Sequence, residues 1–173
     1  MLLNELPKYI QPVKLCRTAP LKGTQLSGDI SLCNLNDLSQ ELKSQKNAVV
    51  SVSLNFSTDG EGICCIKGDL AVNLSLICQR CLQPMDYFLE SSFQVSPVAS
   101  DQEAQHLPSR YEPLLTHDGE ISLAEWIAEE IHLALPLAPR HEPSCVSYDT
   151  KDEGDESGSN SPGSPFAKLA DLK

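Results

Sequence analysis

Residues 48–56, AVVSVSLNF, alternate without interruption: Val50, Val52, Leu54 and Phe56 fall on one side, Ser51, Ser53 and Asn55 on the other. Successive side chains of a strand point to opposite faces, so this segment fits a strand with one buried face and not a helix. The run STDGEG at 57–62 reads as a turn. A second alternating stretch follows, with Leu70, Val72, Leu74 and Leu76 on one face, and leads directly into Cys78-Gln79-Arg80-Cys81. Beyond Pro84 the pattern returns, with Tyr87, Leu89, Ser91, Phe93 and Val95 sharing a face. Residues 23–32 add an earlier short strand, with Gly28 as a bulge or turn. These segments predict an antiparallel β-meander with the CQRC knuckle at one hairpin tip.

Helical spacing occurs twice. Leu35, Leu38 and Leu42, after an Asx-rich start, predict a helix over 35–44. The run GEISLAEWIAEEIHLALP predicts a second, with Ser122 as N-cap, Glu125 as its capping-box partner, Ile121 and Trp126 as a hydrophobic staple, and Pro136 as the stop. Its buried stripe is Leu123, Trp126, Ile127, Ile131, Ala134 and Leu135; Glu129 and Glu130 read as solvated. Residues 97–118 show no period and read as an exposed connection. The expected fold class is α+β: an antiparallel β-meander with two helices packed on it, forming one domain over 1–145. Residues 146–164 are too polar to offset the entropy of ordering and read as a disordered acidic linker. Residues 165–173, with Phe166, Leu169 and Leu172, read as a short amphipathic docking segment.

The formal net charge is -11, and it is uneven: residues 101–173 hold five Lys/Arg against fifteen Asp/Glu. Binding to nucleic acid rests on Lys and Arg that displace counterions from phosphates, so this balance opposes strong non-specific binding to RNA or DNA. A basic protein partner suits it better. The start, MLLNELPKYIQPVK, lacks the pattern of a secretory signal, and no window approaches the roughly 20 apolar residues of a membrane span. A cytoplasmic protein that does not enter membranes is expected.

Seven cysteines without a regular framework fit reduced thiols. Cys64 and Cys65, adjacent in a strand, point to opposite faces and read as core packing; Cys16 and Cys33 have no partner at an informative spacing. The two-residue gap between Cys78 and Cys81 lets both sulfurs face one point, as a zinc knuckle or redox dithiol requires. His141 and Cys145 would complete a set of three thiolates and one imidazole. The competing reading has no cofactor, with Cys78 and Cys81 packed at a hairpin end and His141 and Cys145 on an exposed loop. A redox role fits less well, because redox CxxC motifs sit between a strand and a helix. Arg80 is either a contact for a phosphate or acidic group or a solvated tip. There is no Gly-rich phosphate loop, nucleophile elbow or His-Glu-x-x-His helix, and no enzyme active site is expected.

Four segments stand in a recognisable order: LSLICQRCLQPM, FQVSPVASDQEAQHLPSRYEPL, GEISLAEWIAEEIHLALPLAPRH followed by Cys145, and SPFAKLADLK. Together they resemble the bacterial YceD family of large ribosomal RNA subunit accumulation proteins, from about residue 12 to the C-terminus. The resemblance implies a role in the synthesis, processing or stability of 23S rRNA without a known catalytic activity. By position, the family's marked residues correspond to Cys78, Arg80, Cys81, Glu130, Pro136, Pro139, His141 and Cys145. Some relatives carry additional cysteines after the helix, whereas this chain has only Cys145 there. The expected partner is a ribosomal protein or a large-subunit assembly intermediate, with 23S rRNA met directly or indirectly. Alternatives are a direct RNA-binding module using Arg80 and the N-terminal Lys8, Lys14, Arg17 and Lys22, and a zinc- or thiol-dependent enzyme.

Overall fold

The computed structural model describes residues 6–18, 23–35, 38, 45, 48–142 and 145. Its central feature is a five-stranded sheet in the order β2-β3-β4-β5-β6, formed by β2 (Thr24–Ser31), β3 (Val49–Thr58), β4 (Cys64–Ile77), β5 (Pro84–Val98) and β6 (Glu112–Leu115). The first four strands pair antiparallel in sequence order, as the alternating patterns require. Val50, Val52, Leu54 and Phe56 of β3, with Leu70, Val72, Leu74 and Leu76 of β4, all turn inward and are buried. Each such side chain contributes about 2 kcal/mol on leaving water, which fixes the register: a slip of one residue would turn every one of them outward.

Gly28 forms no bulge. It pairs with Val52 within an unbroken ladder that runs from Thr24 opposite Phe56 to Ser31 opposite Val49. Nor is 97–118 a bare connection, since it contains the short helix α2 (Asp101–Gln105) and strand β6, which joins the sheet edge parallel to β5. Ser100 caps α2 by accepting a bond from the Glu103 amide. The prolines and acidic residues hid a strand of only four residues, of which only Leu114 is half-buried.

Helix α1 (Pro12–Thr18) lies against β3 and β4, and brings Cys16 to Cys64. Their sulfurs are bonded, with Cα atoms 5.8 Å apart. This corrects the expectation that Cys16 has no partner and that Cys64 merely packs: an interval of 48 residues carries no pairing signal, and only the docking of α1 creates one. Cys65, on the opposite face of β4, is buried and free as expected. Of the helix predicted over 35–44, Leu38 is described, helical and fully buried, and Leu35 follows a 3-10 turn at Leu32–Asn34; the rest lies outside the described residues. The linker at 146–164 and the segment at 165–173 also lie outside them.

Helix α3 (Leu123–Ala134) covers the sheet and ends before Pro136 as predicted. Ser122 sits at its N-cap, but its side chain makes no capping bond. Instead β7 (Ile121–Ser122) pairs with β1 (Tyr9–Ile10), and the Leu123 amide donates to the Lys8 carbonyl. A backbone partner from the N-terminal segment thus takes the place of the capping box.

Gly68 fixes how α3 meets the sheet. It lies opposite Phe93, and a Cβ built on it would stand 2.1 Å from the Phe93 ring. The ring uses that space to pack edge-on against Trp126, centroids 5.4 Å apart. Gly68→Ala should therefore displace Phe93 and cost about 1–3 kcal/mol by overpacking. Urea unfolding followed by Trp126 fluorescence measures this; an unchanged midpoint would show that the ring has room to move.

Candidate metal centre

Strands β4 and β5 are long enough to carry their hairpin tip, residues 78–83, clear of the core. The tip closes tightly: the Cys78 amide donates to the Gln83 carbonyl at 3.0 Å, and the Leu82 amide to the Cys78 carbonyl at 2.9 Å. Leu82 takes a left-handed conformation, φ 58°, to complete the turn, at a cost of about 1–2 kcal/mol for a residue with a Cβ. After α3 the chain returns to this tip, where the Gln79 amide donates to the Pro139 carbonyl at 2.8 Å. That bond places His141 and Cys145 beside the knuckle.

The four donor atoms of Cys78, Cys81, His141 and Cys145 all lie within 4.8 Å of one another. The sulfurs of Cys78 and Cys145 are 3.6 Å apart, and Cys81 Sγ is 3.4 Å from His141 Nδ1. Tetrahedral zinc with Zn–S bonds near 2.3 Å spaces its sulfurs about 3.8 Å apart, so the donor set has the size and composition that zinc takes. His141 and Cys145 are not merely neighbours on an exposed loop.

Arg80 turns inward. Its Nε donates to Cys145 Sγ at 3.1 Å, and a terminal nitrogen donates to the His141 carbonyl at 3.1 Å. It is therefore not a solvated tip; the fork of the guanidinium ties one ligand's sulfur and another's backbone to the knuckle. Burial pushes the Cys78 thiol up, but the backbone amides of Cys81, His141 and Arg80, with the His141 side chain, outweigh it and hold the thiol at about 5. Burial also pushes Cys145 up, yet bonds from Arg80, Cys81 and His141 bring it below the ordinary thiol value. The Gln83 amide pulls Cys81 down, but burial and the sulfurs of Cys145 and Cys78 leave it raised. Contacts with Cys145 and Cys78 raise His141. Two thiols are acidified while the third resists, as expected of sulfurs that crowd one another.

Beside the cluster runs a groove of about 530 Å³ lined by Arg80, Tyr87, Arg140 and His141 among others. Sequence reasoning did not place Tyr87 and Arg140 beside the cluster. Tyr87 carried only the signal of an alternating strand, and Arg140 none.

A family model described as large ribosomal RNA subunit accumulation protein YceD matches residues 66–173, from β4 through the knuckle to the C-terminus. A relative from Haemophilus influenzae, named large ribosomal RNA subunit accumulation protein YceD, is 34% identical over 173 residues, covering 95% of this chain and 99% of its own. The chain belongs to the YceD family. No solved structure matches it. Among the described residues no helix is long and apolar enough to cross a membrane.

Of the residues that the YceD resemblance marks, Glu130 stands apart from the cluster. It was expected to be solvated, but it lies on the inner side of α3 and accepts a bond from Trp126 Nε1 at 2.9 Å, while Glu129 is exposed. The helical stripe shows why: Glu130 is four residues beyond Trp126, on the same face. Burial raises its carboxyl above the usual value, against the Trp126 bond that lowers it. With its folded value raised, ionisation costs stability as pH rises above the unfolded value near 4.3. Glu130→Gln, which still accepts from Trp126, should be at least as stable as the native chain at neutral pH and should lose less stability between pH 4 and 7. Chemical denaturation across that range measures it; a marked loss at neutral pH would show that the ionised carboxylate is stabilising.

Proposed function

We propose that the protein is a non-enzymatic accessory factor in 23S rRNA accumulation that acts by holding a protein partner during large-subunit assembly, with the hairpin tip closed by a structural zinc ion. The convergence of four protein donors carries this reading. Catalytic zinc sites keep a coordination position open for water or substrate, whereas structural sites are filled by four protein ligands. Here Cys78, Cys81, His141 and Cys145 would fill all four. Three thiolates around a divalent cation leave one negative charge, and Arg80 at Cys145 is placed to balance it. Zinc would supply a cross-link between the knuckle and the chain returning from α3. The name of the Haemophilus influenzae relative supports the role in large-subunit rRNA accumulation, and a net charge of -11 favours a basic protein partner over bare RNA.

A second reading, direct RNA contact, draws on the groove beside the cluster, where Arg80 and Arg140 adjoin Tyr87. Arg80 is held within the site, so exposed Arg140 is the cleaner probe. The deciding measurement compares the full chain's affinity for purified large-subunit precursor particles, isolated large-subunit ribosomal proteins and naked 23S rRNA. Tighter binding to a particle or protein is expected, with Arg140→Glu leaving it intact. Tight, salt-sensitive binding to naked rRNA, lost in Arg140→Glu and with no protein bound, would establish the second reading instead.

A further inference from the structure

At the far end of α3 from the knuckle, a groove of about 570 Å³ opens between β6, the β1–β7 ribbon and the first turns of the helix. Leu114, Ile121 and Trp126 form its apolar floor. Tyr9 and Leu115 flank it and are 56% and 50% exposed, although both are large apolar side chains that folding would otherwise bury. Four carboxylates, Asp101, Glu120, Glu125 and Glu129, line it together with His117, and among the described residues no Lys or Arg does. Glu120 is partly engaged, accepting from Gln11 Nε2 at 2.8 Å; Glu125 and Glu129 are exposed, one helical turn apart. The chain's own Lys8 already rests its ammonium 5.4 Å from the centroid of the Tyr9 ring, a cation-π contact of the kind that wall accepts.

We propose that this groove is the docking site for a lysine- or arginine-rich, partly apolar peptide segment of a protein partner. The apolar floor takes one or two aliphatic side chains, and the carboxylate rim takes the cationic ones. Charge complementarity selects this occupant. A phosphate backbone would meet four like charges here, and segment 165–173 of this chain carries only two lysines, one of them offset by Asp171. The proposal rests on the reading of the protein as a partner-holding factor, and it names the surface and the chemistry of what is held.

Trp126 is the chain's single tryptophan and lines the floor, so its emission reports occupancy directly. The experiment titrates full-length protein with a synthetic peptide of alternating lysine and leucine, and with a glutamate–leucine counterpart. The lysine peptide should change Trp126 emission saturably and the glutamate peptide should not. Glu125→Lys with Glu129→Lys should weaken the lysine peptide by about tenfold or more, as two attractions become repulsions. Asp86→Lys with Glu90→Lys, on exposed positions of β5, should leave binding near the native value. Equal loss in both double variants, with circular dichroism showing both folded, would reduce the effect to net charge and overturn the proposal. So would a Trp126 emission that ignores the lysine peptide but shifts in Phe166→Ala with Leu169→Ala, since the groove would then hold the chain's own tail. If Glu125→Lys with Glu129→Lys still captures a large-subunit ribosomal protein as the native chain does, the groove proposal falls while the partner-holding reading stands. If the native chain captures naked 23S rRNA and no protein, both fall.

Discussion

Everything else in this structure hangs on the pairing of β4 with β5. The ladder runs from Ile66 opposite Val95 to Ile77 opposite Pro84, and one face of it is buried, so its register cannot shift without exposing the core. Two consequences follow at opposite ends of the same ladder. Near its start, Gly68 leaves room for Phe93 to meet Trp126 and so sets where α3 lies. At its far end the register sets which residues fall in the tip, and the tip holds Cys78 and Cys81.

The site is therefore assembled from two directions by one packing event. Once α3 is docked, the chain leaving it has only Leu135 to Arg140 in which to return to the knuckle, and the bond from Gln79 to Pro139 marks where it arrives. His141 and Cys145 are placed by that return. Backbone amides at Cys78 and the Arg80 guanidinium at Cys145 favour the thiolate forms of these two sulfurs, while Cys81 is raised. The outer side of the same helix serves a different end, presenting Glu125 and Glu129 beside an apolar groove. One helix thus connects the four-donor cluster beyond its C-terminal end with an open acidic surface near its N-terminal end.

Much of this was legible in the sequence. Strict alternation in β3 and β4 located the meander, because a period of two with a wholly apolar face has a single economical solution. The Trp126 and Ile127 spacing located α3 in the same way. The grouping of Cys78, Cys81, His141 and Cys145 was open to arithmetic, but not their convergence, which depends on a hydrogen bond between residues sixty positions apart. Three features were hidden for definite reasons. The Cys16–Cys64 bond depends on the docking of α1, which no local pattern encodes. Strand β6 is four residues with a proline, below the length at which alternation can be seen. Glu130 lies on the apolar stripe by spacing but was judged by its charge, and only Trp126 as donor explains a carboxyl there. Ser122 errs in the opposite sense: its local capping signal is sound, but tertiary pairing with the N-terminal strand displaces it.

The closed centre is tested most directly by X-ray absorption at the zinc edge on full-length protein freshly purified without chelators. Expected is one zinc per chain with a first shell of three sulfurs near 2.3 Å and one nitrogen near 2.0–2.1 Å, becoming poorer in sulfur in Cys145→Ser. Protein without zinc, or zinc held by one or two sulfurs with oxygen in the remaining positions, would contradict a centre closed by Cys78, Cys81, His141 and Cys145.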